Sequence, residues 1–399
     1  MIKVDYRNLG LALETASFQE ELARIKMEPA PTFETTKTDL QSLASSLQKY
    51  GNFKNVILIA NGGSRTSAHV FYHALPRYRN QVNFSFLTSA EPDLIARLRK
   101  RFLSGETLVL VISKSGTNIN NIEPLLAFQD YPVLVVTEDK PNTLSGIAKI
   151  RGWETIAHPN VGGRFSGLTT CGLVPATLMG LNLGKISQGA EEGYSQYRAA
   201  ADSEKNDAWR LALYFAELEK KGITEIFFSV YSSALFAFLP LITQLIHESI
   251  GKNDKGMTIF GDYSPESQHH TNQRFFGGRK NVVGVFLTVE KSADEFSLRV
   301  SDELESVEYN GHTLKVLDGI SALETMHYDM EGVIGNCMEK NIPAVAISIG
   351  EATEEAIGKL IVFWQYFTVY SAYLRDQNPF DQPQVEDSKK ISFALRLKK

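Results

Sequence analysis

The chain has 399 residues, with 41 Lys or Arg against 46 Asp or Glu, a formal charge of −5 and an isoelectric point near 6.0. That acidic balance offers no counterion-release affinity for a phosphate backbone, so nucleic acid is not expected as a partner. A hydrophobic content of 43% suits a globular protein of two or three domains, and the two cysteines, Cys171 and Cys337, lie too far apart in sequence for a disulfide framework or a zinc module.

The chain opens MIKVDYRNLGLALETASFQEE, with acidic residues where a secretion signal carries its apolar stretch, so a cytoplasmic location is expected. An amphipathic helix, an extended KMEPAPTF stretch holding Pro29 and Pro31, and a second helix from about Thr38 to Tyr50 follow. Residues 1–40 are read as an arm or cap. VILIA (56–60), LVLVIS (108–113) and VLVVT (133–137) are β-branched runs, each leading through Gly, Ser, Asn or Asp into a helical pattern. Gly189 to Lys221 reads as a connecting helix pair. The same grammar then restarts with EIFFSV (225–230), NVVGVFLTV (281–289) and AVAISIG (344–350), continuous apolar runs of the kind that parallel strands buried on both faces require. The apolar run from Ala234 to Ile242 is broken by Pro240 and falls well short of the roughly 20 residues of a membrane span. The expected fold class is α/β: two doubly wound parallel-sheet domains, 41–190 and 191–380, with helices on both faces, and a C-terminal helix and tail over 381–399.

Several turns carry chemistry. Ser113-Lys114-Ser115-Gly116-Thr117-Asn118 joins a strand to a helix, and its hydroxyls and free first-turn amides at a positive helix end suit a phosphate; an ordinary polar N-cap would look the same. Asn61-Gly62-Gly63-Ser64 makes a second strand-to-helix turn, and neither a Walker loop nor GxGxxG is present, which argues against nucleoside triphosphates and dinucleotides. Arg164, in Val161-Gly162-Gly163-Arg164-Phe165-Ser166, is placed to meet a developing oxyanion, although a surface loop is the commoner setting for such a residue. Glu248 closes an apolar helix in HESIGK, where a carboxylate partly removed from water serves carbon-acid chemistry. The paired histidines of Ser267-Gln268-His269-His270-Thr271-Asn272-Gln273 lack a third ligand at suitable spacing, so acid–base work fits them better than a metal, and no metal is expected. His69 and His73, spaced i and i+4, read equally as surface or core residues. Finally, Asn378-Pro379-Phe380-Asp381-Gln382-Pro383-Gln384-Val385-Glu386-Asp387-Ser388-Lys389 is a proline-stiffened loop entering a helix; the rigidity suits a positioned Gln382 or Lys389, and a plain connector equally.

In their order and coarse spacing, SKSGTN, VGGRFS, HESIGK, QHHTNQ and NPFDQPQVEDSK together resemble the phosphoglucose isomerase family, from about Gly62 to Lys389. The resemblance implies two flavodoxin-like sugar-isomerase (SIS) domains, interconversion of glucose 6-phosphate and fructose 6-phosphate without metal or organic cofactor, and a homodimer. By matching position it implies that Ser113, Lys114, Ser115 and Thr117 bind phosphate beside Gly63 and Ser64, that Arg164 stabilises an enediolate, and that Glu248 moves a proton between C2 and C1. It further implies that His269, shared across the dimer interface, opens the sugar ring with help from Lys389, and that Gln382 contacts sugar oxygens. The chain departs from the family pattern at Asn61, Asn118, Asn120 and Gln384. Mannose 6-phosphate or another sugar phosphate as substrate, and a non-catalytic sugar-phosphate-binding protein, are the competing expectations; the second predicts loss of the base, the arginine or the histidine, all of which are present.

Overall fold

The structure, a computed structural model, describes residues 2–7, 30–198 and 206–398. The chain enters as strand β1 (Ile2–Arg7) and builds a first sheet from β2 (Asn55–Ala60), β3 (Asn83–Leu87), β4 (Thr107–Ile112), β5 (Val133–Thr137) and β6 (Glu154–Ala157). These strands are all parallel, in the order β3-β2-β4-β5-β6. A second sheet takes β7 (Glu225–Tyr231), β8 (Thr258–Tyr263) and β9 (Val282–Val289) and, after a small hairpin of β10 (Glu308–Tyr309) and β11 (His312–Thr313), β12 (Ala344–Ile349). Its order is β1-β12-β9-β7-β8, parallel except for β1, which runs antiparallel to β12. Apart from β1, each sheet has the doubly wound order in which the chain reverses direction beside its first strand, as expected.

The central strands show why. Val56, Leu58 and Ala60 of β2 enter one apolar cluster while Ile57 and Ile59 enter another, so both faces are covered and every residue of the strand is buried. Such a strand needs an apolar side chain at each position, which is the continuous run seen in the sequence. The six runs identified there are the three central strands of each sheet. The four edge strands, β1, β3, β6 and β8, have mixed burial and no such run.

Residues 2–7, expected in an arm, are therefore part of the second sheet: β12 would otherwise present a row of unpaired backbone groups, and β1 covers them. Thr32–Thr35 makes one helical turn where an extended path was expected, because Phe33 is drawn into the core and stacks on Phe165 at 5.2 Å. The amphipathic helix expected before Pro29, Pro29 itself, and the 199–205 part of the connecting segment lie outside the described residues. The connecting pair is present as helices Leu183–Arg198 and Asp207–Lys220. Among the described residues no helix is long and apolar enough to cross a membrane. Pro240 sits in the first turn of helix Phe238–Ile250, where no intrahelical N–H is lost.

One helix joins the two halves. Glu354–Tyr373 is apolar around its whole circumference and almost entirely buried, and it belongs to the same cluster as Leu58 and Leu110 of the first sheet and Ile226 and Val285 of the second. It meets helix Leu183–Arg198 at backbone distance: a Cβ at Gly189 would stand 1.8 Å from the Glu355 carbonyl oxygen, and one at Gly358 2.2 Å from that of Ile186. Gly189→Ala must therefore push the helices apart, and the expected cost is about 1–3 kcal/mol. The check is a lower denaturant midpoint than wild type.

Candidate active site

The turn after β2 and the turn after β4 flank the point where the first sheet reverses its winding, the place where doubly wound sheets bind ligands. A cavity of about 940 Å³ opens there, bounded by Gly62, Gly63, Ser64, Ser113, Lys114, Ser115, Thr117, Arg164, Gln244, Glu248, Gln382 and Lys389, among others. Gly62 has φ 58°, and a Cβ at Gly63 would lie 1.7 Å from the Gly163 carbonyl oxygen. The NGGS turn and the VGGRFS loop thus touch backbone to backbone, which only glycine permits. On the other turn, Gly116 has φ 63°, Thr117 Oγ1 donates to Ser115 Oγ at 3.1 Å, and Asn118 caps helix Ile119–Leu126 by accepting from the Asn120 amide at 3.2 Å. Asn118 is a departure from the family pattern, yet it performs the capping that a Thr would.

Arg164 is the hub. Its side chain is 2% exposed, and each of its five N–H groups has an acceptor. Nε donates to Ser249 Oγ (2.7 Å), Nη1 to Glu248 Oε2 (3.0 Å) and Gln382 Oε1 (2.7 Å), and Nη2 to the carbonyls of Pro379 (2.5 Å) and Asp381 (3.0 Å). Burial lowers its proton affinity while Glu248 and Asp381 oppose that shift, and a guanidinium remains a cation throughout. Glu248, at the end of helix Phe238–Ile250, takes a second bond on Oε1 from Gln244 Nε2 (2.9 Å), and Gln244 Oε1 in turn accepts from Thr66 (3.2 Å). The carboxylate is therefore held on both oxygens while its side chain stays 27% exposed to the cavity. This is a fixed base beside a fixed positive charge, next to a turn able to hold an anion.

A family model described as Phosphoglucose isomerase matches residues 39–398. The chain belongs to the phosphoglucose isomerase family. Glucose-6-phosphate isomerases of Bacillus cereus (strain B4264) and Bacillus anthracis are each 30% identical to it over 390 residues, covering 90% of this chain and 84% of theirs. Among solved structures, a hypothetical protein from Thermus thermophilus superposes with a TM-score of 0.86 at 24% identity over 100% of both chains. A glucose-6-phosphate isomerase from Chlamydia trachomatis superposes at 0.79 with 18% identity, over 99% of this chain and 88% of that one. At these identities the two structures speak for the fold.

Of the site residues expected for the family, Gly63, Ser64, Ser113, Lys114, Ser115, Thr117, Arg164, Glu248, Gln382 and Lys389 all border the same cavity. Lys114 turns toward the rim, donating to Asn160 Oδ1 at 3.0 Å, and Lys389 pairs with Glu386 at 2.8 Å on helix Glu386–Arg396. That helix is fastened to helix Ile119–Leu126 by Arg396, whose Nη2 lies 2.8 Å from Glu123 Oε2. His269 does not join them: it is exposed at the end of the 3₁₀ helix Glu266–His269, outside the cavity lining of its own chain.

Gln244 and Ser249 went unnoticed in the sequence. Gln244 lies one helical turn before Glu248, and that i, i+4 spacing was the available signal. The Cys171 cluster left none. Cys171 Sγ sits 3.1 Å from Ser64 Oγ behind the NGGS turn, and His158 and Ser166 face the same sulfur. Burial alone would push this thiol up, but His158 beside it, with Ser166 and Ser64, more than reverses that, and His158 is raised in return.

Helix Gly63–Ala74, which the NGGS turn begins, carries His69 and His73 with ring centroids 4.3 Å apart. Burial, with His73 and Arg65 close by, pushes His69 from 6.5 down to about 4; burial, Arg79 and Arg65 lower His73 as well. The unfolded chain therefore takes up protons that the folded chain refuses, so this contribution to stability is complete above about pH 6.5 and is lost as pH falls toward 4. His69→Gln is expected to flatten that slope, measured as the difference between urea midpoints at pH 7 and pH 5.

Proposed function

We propose that the chain interconverts D-glucose 6-phosphate and D-fructose 6-phosphate, a step of glycolysis and gluconeogenesis, through ring opening and a cis-enediolate. The observation that carries this reading is the Glu248–Arg164 pair, at 3.0 Å, on the wall of a cavity that also contains the Ser113–Thr117 turn. The substrate phosphate sits on that turn and supplies binding energy remote from the reacting carbons, which orients the sugar. Glu248 takes the weakly acidic proton beside the carbonyl and returns it to the neighbouring carbon. Arg164 faces the oxyanion that forms between the two transfers. Because all five of its N–H groups are engaged, a substrate oxygen reaches it by replacing one acceptor, and the neutral Gln382 Oε1 is the group that yields.

Ring opening falls to Lys389 and His269. His269, exposed outside its own cavity, is read as serving the cavity of a second copy, so the proposed working unit is a homodimer. Only two cysteines, both buried, suit a cytoplasmic enzyme.

The first test is conversion of fructose 6-phosphate by purified, chelator-treated protein, coupled to glucose-6-phosphate dehydrogenase. Turnover is expected; binding of fructose 6-phosphate without turnover would favour a non-catalytic protein. Glu248→Gln keeps the shape and removes the base, and the expected loss in kcat is at least about 10²-fold; a loss within tenfold overturns its role. His269→Ala is expected to slow the cyclic sugar while His270→Ala leaves it near wild type, and the reverse result would move the role to His270.

A further inference from the structure

Lys252 lies outside the cavity and its side chain is 7% exposed, an expensive place for an ammonium unless each of its N–H groups is met. They are met by three acceptors from one loop: the Asn378 carbonyl (2.5 Å), the Asp381 carbonyl (3.1 Å) and Asp381 Oδ1 (2.5 Å). The Asp381 carbonyl is the same oxygen that accepts from Arg164 Nη2 at 3.0 Å. Two buried cations thus share one peptide oxygen, directly before Gln382, which holds Arg164 Nη1.

The loop from Gln377 to Gln382 has no helix or strand of its own to place it. The turn after helix Phe238–Ile250 does that work. Gln377 Nε2 donates to the Lys252 carbonyl at 2.6 Å, and Lys255 Nζ to the Arg375 carbonyl at 2.9 Å. Phe380 packs on Phe165, beside Arg164, with ring centroids 5.4 Å apart. Of these bonds, only one from the Lys252 ammonium ends on an oxygen that also accepts from Arg164.

From this geometry, and resting on the isomerase reading above, we propose that Lys252 is a positioning residue for the reaction. Through the 378–381 loop it sets where Arg164 and Gln382 stand relative to Glu248, and it does not touch substrate. The phosphate turn, built on the first sheet, is outside its reach.

The test is the series Lys252→Arg, Lys252→Gln and Lys252→Met in the full chain. Its readouts are kcat and KM for fructose 6-phosphate, and the inhibition constant of inorganic phosphate. A shift of an ångström at the reacting centre costs on the order of 10²-fold, so kcat is expected to fall by about that in Lys252→Met and less in Lys252→Gln, with Lys252→Arg within about fivefold of wild type. The phosphate inhibition constant is expected to stay within about twofold throughout. Equal kcat among the members that fold would overturn the proposal, as would phosphate inhibition weakening in step with kcat, which marks general loosening. Amide hydrogen exchange over 378–382 gives a second reading independent of turnover: it should quicken in Lys252→Met or Lys252→Gln and return toward wild type in Lys252→Arg, and unchanged exchange overturns the proposal. Wild-type protein inactive on both sugar phosphates would instead overturn the isomerase reading, leaving the exchange measurement to decide the role of Lys252 in holding the loop.

Discussion

A single guanidinium ties together segments that the chain keeps far apart. Arg164 leaves the short 3₁₀ helix Gly163–Leu168 of the first half, and its donors end on helix Phe238–Ile250 and on the loop before the C-terminal helix. A buried cation of this kind is costly unless every donor is matched, so the acceptors are constrained as strictly as the arginine. Glu248 follows from that constraint: one oxygen is committed to Arg164 and the other to Gln244, which leaves the carboxylate little rotational freedom. The rest of the cavity is arranged around this pair.

Doubly wound sheets supply the frame because their turns collect at one edge. The NGGS and SKSGTN turns emerge side by side where the winding reverses, and the close contact of Gly63 with Gly163 brings the arginine loop against the first of them. The second half contributes a helix and a loop, and the shared core along Glu354–Tyr373 keeps both in register with the first half. The SKSGTN turn of the first half and Glu248 of the second border one cavity, and both halves pack on that helix.

Much of this was legible in the chain itself, and the division is physical. Strands covered on both faces declare themselves as unbroken apolar runs; β3, β6 and β8, half covered at sheet edges, do not, and β1 finds its partner in Ala344–Ile349, beyond any local pattern. At the site, residues within glycine-rich or proline-stiffened turns stood out, Arg164 and Gln382 among them. Ser249 and Lys252 are ordinary in sequence, and their importance comes from what they touch: an arginine 85 positions away, and carbonyls 126 and 129 positions away. Gln244 lay between these cases, visible by its spacing from Glu248 but not by its type.

Strand β1 has a consequence for how the molecule is made. It is the earliest described segment of the chain, yet its place lies beside β12, whose residues are Ala344–Ile349. On a ribosome β1 cannot pair until Ala344–Ile349 has emerged, while β7, β8 and β9 are already able to assemble with an open flank. Until then the growing second half carries an uncovered sheet edge, the kind of surface on which nascent chains adhere to one another. Docking of β1 thus closes the second sheet late, so that a change in β1 that slows this docking would burden biogenesis more than it would burden the finished fold.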